Sequence, residues 1–138
     1  MQKSFKLELN KLDKLVSYLI ELLKDNNCIV ILRGDLASGK TTLVKKYVKA
    51  LNLDDLVTSP TFSLQAVYSN NIFHYDVYNK SLEEFISLGL LEEFERDGIH
   101  FVEWGNEKLE ELLKSYGFNV ILLEIIKCDN KRQYIINE

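Results

Sequence analysis

Gly34-Asp35-Leu36-Ala37-Ser38-Gly39-Lys40-Thr41-Thr42 fits the spacing G-x-x-x-x-G-K-[ST], and it stands between an apolar run and a stretch with helical periodicity. The spacing has a physical reason. Two glycines let the backbone curl around an oxyanion, the loop N–H groups point inward, and the helix that follows adds its positive N-terminal end. Lys40 is placed to reach the β- and γ-phosphates of a nucleoside triphosphate, and the Thr41 hydroxyl to meet Mg²⁺. The stretch reads as a phosphate-binding P-loop.

Upstream, Cys28-Ile29-Val30-Ile31-Leu32 is continuously apolar and β-branched, the pattern of a central strand buried on both faces. Before it, Phe5, Leu7 and Leu9 alternate with Lys6 and Glu8, predicting a short strand. Leu12, Leu15, Val16, Leu19, Ile20 and Leu23 then follow helical spacing, with Asn10 placed to cap the helix and Asn26-Asn27 to end it. Asn10-Lys11-Leu12-Asp13 also matches the guanine-reading N-K-x-D. It precedes the P-loop, however, its Leu12 belongs to the apolar stripe, and the chain has no D-x-x-G.

Downstream, Leu43, Val44, Tyr47, Val48 and Leu51 form a helical face that leaves Lys45, Lys46 and Lys49 outside it, as a solvated face or a patch for a partner or RNA. Thr58-Ser59-Pro60-Thr61 is either a turn or a γ-phosphate-sensing switch. Thr61 to Tyr68 and Ile72 to Tyr78 predict an antiparallel hairpin joined by Ser69-Asn70-Asn71, whose asparagines tolerate positive φ. Asp76 falls among apolar residues, where a carboxylate calls for a metal or a lysine. His74 shares its strand face and reads as a packed or hydrogen-bonded histidine. Residues 81 to 97 predict one helix broken at Gly89 or two short ones, rich in Glu, either solvated or docked on a basic partner.

Ile99-His100-Phe101-Val102-Glu103-Trp104 is an apolar strand ending in a carboxylate, the arrangement that carries an acidic group to the Mg²⁺ and phosphate edge of a sheet. Glu103 is thus a candidate for the metal shell or for orienting an attacking water. Trp104 is either a core anchor or a cover for the nucleotide. Lys108 to Lys114 predicts a short helix, and Phe118 to Ile126 and Gln133 to Ile136 two last strands, joined by a turn over Asp129-Asn130-Lys131-Arg132.

The 138 residues, 46% hydrophobic, suit one domain, 1–138, of α/β class with a mixed sheet. No apolar run approaches the ~20 residues that span a bilayer, and the start of the chain lacks a secretory h-region, so the expectation is a cytoplasmic protein without a membrane partner. Cys28 and Cys128 have neither metal-ligand spacing nor a histidine nearby and read as reduced, packed thiols. Residues 1 to 80 carry 11 Lys/Arg against 8 Asp/Glu, whereas 81 to 138 carry 6 against 13. The acidic second half argues against direct binding of nucleic acid through that face.

Taken together, the P-loop, Thr58-Ser59-Pro60-Thr61-Phe62, His74-Tyr75-Asp76-Val77-Tyr78 and Val102-Glu103-Trp104 closely resemble the TsaE (YjeE) family, with four motifs in the right order over most of the chain. The resemblance implies a three-layer P-loop NTPase-like fold and a small ATPase using ATP and Mg²⁺ for threonylcarbamoyladenosine modification of tRNA. It implies action with the TsaD and TsaB proteins, which carry out the transfer, and contact with tRNA only indirectly. Carried over by position, Lys40 with the loop Asp35, Leu36, Ala37, Ser38, Gly39, Thr41 and Thr42 holds phosphate. Thr41, Asp76 and Glu103 stand on the metal side, Ser59 to Thr61 is the switch, and Trp104 lies beside the site. Asn10 and Arg132 are placed near adenine.

The chain departs from the family pattern at Ala37, which stands for a third glycine, at Asn79, which stands for a basic residue, and at Gly105, which stands for proline. None of its three arginines, Arg33, Arg96 and Arg132, lies in the carboxylate motifs, so hydrolysis is expected to be slow without a partner. A small-molecule kinase and a non-hydrolysing nucleotide sensor are the alternatives.

Overall fold

A computed structural model of the chain describes residues 2–35, 38–60 and 64–138. Seven strands form one sheet: β1 (Gln2–Glu8), β2 (Cys28–Arg33), β3 (Gln65–Tyr68), β4 (Ile72–Asp76), β5 (Ile99–Glu103), β6 (Val120–Cys128) and β7 (Lys131–Asn137). Their order is β1-β7-β6-β2-β5-β4-β3. The four central strands are parallel, and antiparallel strands close both flanks.

The alternation of side chains along β2 divides the core. Val30 and Leu32 pack with α1 (Asp13–Leu23) and α2 (Lys40–Ala50), together with Phe101, Leu123 and Tyr134. Ile29 and Ile31 face the other way, toward α3 (Leu82–Ser87), α4 (Leu90–Phe94) and α5 (Glu107–Ser115) through Phe85, Phe94 and Leu109. Helices therefore cover both faces of the sheet, which accounts for a central strand with no polar side.

The predicted hairpin is present, with Asn70 and Asn71 at φ 61° and 56° in its link. Its second strand ends at Asp76, short of Tyr78; in the first, Gln65 to Tyr68 pair, and residues 61–63 lie outside the described residues. Gly89 (φ 76°) separates α3 from α4, and Ser81 caps α3 through a reciprocal bond with Glu84.

Two local expectations are corrected. Asn10 does not cap α1: the helix begins at Asp13 after Leu12, with no side-chain cap. The Lys11 N–H donates to the Glu8 carbonyl at 3.0 Å, so Asn10 is spent in a turn, and the Asp13 carboxylate complements the helix N-terminus instead. Likewise Lys131 and Arg132 belong to β7 and pair with Cys128 and Lys127, leaving a turn at Asp129-Asn130 with Asp129 at φ 52°. The positive φ at Asp129 reverses the chain in two residues, so pairing resumes at once. Cys28 and Cys128 are free thiols, and burial pushes the Cys28 thiol up to about 11. Among the described residues no helix is long and apolar enough to cross a membrane.

Candidate functional site

The carboxyl ends of β2, β5 and β4 meet on one edge of the sheet. Leu32 pairs with Glu103, and Glu103 with Asp76, so the P-loop that leaves β2 comes out beside two carboxylates. The Val77 N–H donates to the Glu103 carbonyl at 3.1 Å and holds the strand ends together. A cavity of about 590 Å³ opens there, bounded by the P-loop side, Ser59, Asp76, Glu103 and Trp104, with Leu9 and Tyr78 at its apolar wall. Placing the site at the carboxyl ends of parallel strands follows from the parallel sheet itself.

Glycine is required at both ends of the loop. Gly39 sits at φ 110°, and a Cβ on Gly34 would lie 2.7 Å from Ser38 Oγ and 2.8 Å from the Ile125 carbonyl. Leu36 and Ala37 lie outside the described residues, as does Thr61. Ser38 is buried and donates its N–H to the Asp35 carbonyl at 3.0 Å; the Asp35 side chain is exposed outside the cavity.

Lys40 is only 4% exposed. Its ammonium donates to the carbonyls of Gly34 at 2.7 Å and Asp35 at 2.9 Å, and lies 3.8 Å from the centroid of the Trp104 ring. Burial lowers its pKa, against the opposing pull of Glu103, Asp35 and Asp76. Trp104 is half-buried against the α3–α5 core, as an anchor would be, and it also lines the cavity, at φ 70°.

The Thr41 hydroxyl donates to Glu103 Oε2 at 2.8 Å. Glu103, 3% exposed, also receives His74 Nε2 at 2.5 Å on the same oxygen. Asp76, equally buried, accepts the Tyr78 N–H at 2.9 Å on Oδ1 and the Ser59 hydroxyl at 3.3 Å on Oδ2. The cost of burying this carboxylate is thus met by a backbone donor and a hydroxyl as well as by any cation. Thr42 lines the cavity.

Arg132 and Asn10 are placed differently from these. Arg132 Nε donates to the Ser38 carbonyl at 3.2 Å, so β7 supports the loop from behind. Asn10 is exposed, and its neighbour Leu9 lies against Gly39 in its place. Leu9, Tyr78, Tyr68 and His74 were given no site role by sequence reasoning. For Leu9 a signal existed: it continues the alternation of β1 while remaining 42% exposed at the mouth of the cavity. For His74 the signal was its place two residues before Asp76.

A family model described as "Threonylcarbamoyl adenosine biosynthesis protein TsaE" matches residues 7–134. A protein of Treponema pallidum named tRNA threonylcarbamoyladenosine biosynthesis protein TsaE is 40% identical over 93 residues, covering 65% of this chain and 69% of its relative. One of the same name from Bacillus subtilis is 34% identical over 97 residues, covering 68% and 60%. The chain therefore spans 60% to 69% of the length of these two relatives. The crystal structure of YdiB from Bacillus subtilis superposes with a TM-score of 0.70 at 23% identity, over 99% of this chain and 84% of that one, and shares its fold. With the family model matched over residues 7–134, from β1 to β7, this chain belongs to the TsaE family.

Proposed function

We propose that the chain is a Mg²⁺-dependent P-loop ATPase that serves threonylcarbamoyladenosine modification of tRNA in the cytoplasm, acting with TsaD and TsaB and touching tRNA only through them. The observation that carries this reading is the convergence of Lys40, Thr41 and Glu103 at one end of the cavity. The family and the names of the relatives support the pathway.

The residues present fit a magnesium nucleotide. Gly39 turns the loop at φ 110° on the cavity side, Gly34 lets it pass close to Ser38 and the Ile125 carbonyl, and Lys40 is a buried cation held by carbonyls that phosphate oxygens can replace. Among the described residues no group of three or more His, Cys, Asp or Glu is arranged to hold a metal. Mg²⁺ needs only one or two carboxylates when substrate phosphates and water complete its shell, and Asp76 and Glu103 stand side by side at the strand ends. Thr41, Glu103 and Asp76 are the residues that would hold it. Held by them, the metal would supply positive charge against the negative charge that develops on the phosphates.

Lys40 orients the phosphates, and Glu103, with Asp76, positions the attacking water. Thr61, with Ser59, is assigned to the switch by resemblance. Trp104 and Leu9 supply apolar surface to the cavity.

The arginines support a dependence on partners. Arg33 donates to the Gly105 carbonyl and to Glu110, Arg96 to Glu93, and Arg132 to Ser38. None of the three is among the cavity residues. A cationic group from outside is worth about 10³ to 10⁵ in such a reaction. The test is phosphate release from labelled ATP by the chain alone, with a panel of nucleoside and metabolite acceptors, and with TsaD and TsaB. Slow release to water, accelerated by the pair, is expected. Transfer to an acceptor, or a rate indifferent to the pair, would refute the reading.

A further inference from the structure

Beneath the carboxylates a second tier of buried polar groups runs away from the cavity. His74 is fully buried on β4, and both ring nitrogens are engaged. Nδ1 lies 2.8 Å from the Tyr68 hydroxyl on β3, and Nε2 lies 2.5 Å from Glu103 Oε2 on β5. Tyr68 is itself buried, so hydroxyl, imidazole and carboxylate form a line across three adjacent strands.

We propose that His74 and Tyr68 are positioning residues that fix the rotation of the Glu103 carboxylate, making the β3–β4 hairpin a working part of the metal side of the site. The proposal rests on the reading of Glu103 given above. A carboxylate only accepts, so Nε2 carries a proton and donates to it. In the neutral ring Nδ1 is then an acceptor, and Tyr68 supplies its proton. Burial, with Glu103 second, pushes the Tyr68 hydroxyl up to about 12, which keeps it a donor at neutral pH.

The Thr41 hydroxyl and His74 Nε2 converge on one oxygen, Oε2. Two donors from different elements, α2 and β4, thus hold Oε2, which leaves Oε1 as the oxygen for metal-bound or attacking water. Packing alone would be satisfied by an apolar side chain at position 74. The ring instead spends both nitrogens on orientation, as outer-shell partners of metal-site groups do.

The test follows Mg²⁺ binding in the presence of ADP through the fluorescence of Trp104, the sole tryptophan, with ATP turnover measured in parallel. His74→Leu is expected to weaken the Mg²⁺ response and lower kcat by about 10- to 100-fold. Its affinity for nucleotide without metal should stay within about threefold of wild type, because the nucleotide-holding P-loop is untouched.

His74→Gln, whose amide nitrogen reaches the place of Nε2, should restore most of the loss. In Tyr68→Phe the ring keeps its Nε2–H, since Glu103 still accepts it, but the ¹⁵N resonance of Nδ1 should shift with the loss of its hydrogen bond, and the Mg²⁺ response should weaken. A folded His74→Leu that matches wild type in both Mg²⁺ response and kcat would overturn the proposal. So would an unchanged Mg²⁺ response in Tyr68→Phe, which decides the matter if His74→Leu does not fold. Glu103→Gln separates the two levels. If it is silent, the reading of Glu103 itself fails; if it is impaired while His74→Leu is not, only the positioning role fails.

Discussion

Replacing Lys40 by alanine should separate nucleotide binding from folding. In the free protein the ammonium makes two short bonds to loop carbonyls, at 2.7 and 2.9 Å, and a close approach to the Trp104 ring. Against these stands the desolvation that depresses its pKa. The two offset each other, so Lys40→Ala should move Tm by no more than about 5 °C, equivalent to about 1 kcal/mol for a chain of this size.

Binding is different. A phosphate charge about 4 Å from the ammonium, at an effective dielectric constant of about 20, interacts by about 4 kcal/mol. The carbonyl bonds given up are replaced by bonds to phosphate oxygens, and those exchanges cancel to first order. With partial screening by solvent and Mg²⁺, about 2 to 4 kcal/mol is lost, which weakens the Kd for magnesium ATP by about 30- to 700-fold. Isothermal titration calorimetry on wild type and variant reads this directly. An affinity within about threefold of wild type would refute the assignment of Lys40 to phosphate.

Three further predictions concern the scaffold. Gly98→Ala should destabilise by about 1 to 3 kcal/mol from backbone strain alone, since Gly98 is at φ 137° and a Cβ there would lie 2.1 Å from the Asn71 carbonyl; an unchanged denaturation midpoint would contradict this. Tyr134→Phe should be neutral or stabilise by about 1 kcal/mol, because its buried hydroxyl has no hydrogen-bond partner among the described residues; chemical denaturation reads the sign.

The third prediction is a pH dependence. Burial lowers the His100 pKa, and the neutral ring accepts from the Tyr75 hydroxyl and donates to the Arg96 carbonyl. The unfolded chain therefore binds a proton more readily. The stability this contributes is full above a pH of about 6.5 and is lost as pH falls through the folded value. His100→Phe should flatten the stability profile below about pH 6.5, and an unchanged slope there would refute the assignment.

The elements that were legible in the sequence are those whose signal is local. The unbroken apolar run Cys28–Leu32 announced a two-sided strand, the asparagine pair a tight link, and Gly89 a break between helices, and each acts through its own backbone or its immediate neighbours. The cap assigned to Asn10 failed because a competing local bond, Lys11 to Glu8, takes that residue into a turn. Boundaries at the last hairpin failed because a two-residue turn was enough where four polar residues invited a longer one.

The site was legible as types of residue but not as contacts. That Asp76 and Glu103 come side by side follows from the parallel pairing of β4 with β5, a relation no spacing in the chain encodes. The bond from His74 to Glu103 crosses the same pair of strands diagonally, and Tyr68 adds a third. Such groups carry no motif of their own, so in sequence His74 reads only as a buried histidine.

The role of Glu103 is decided by single-turnover phosphate release from ATP, in the presence of TsaD and TsaB, comparing wild type with Glu103→Gln. Mg²⁺-dependent release is expected of the wild type, with a loss of at least about 100-fold in the variant while ATP stays bound. Release by Glu103→Gln at the wild-type rate would contradict that role.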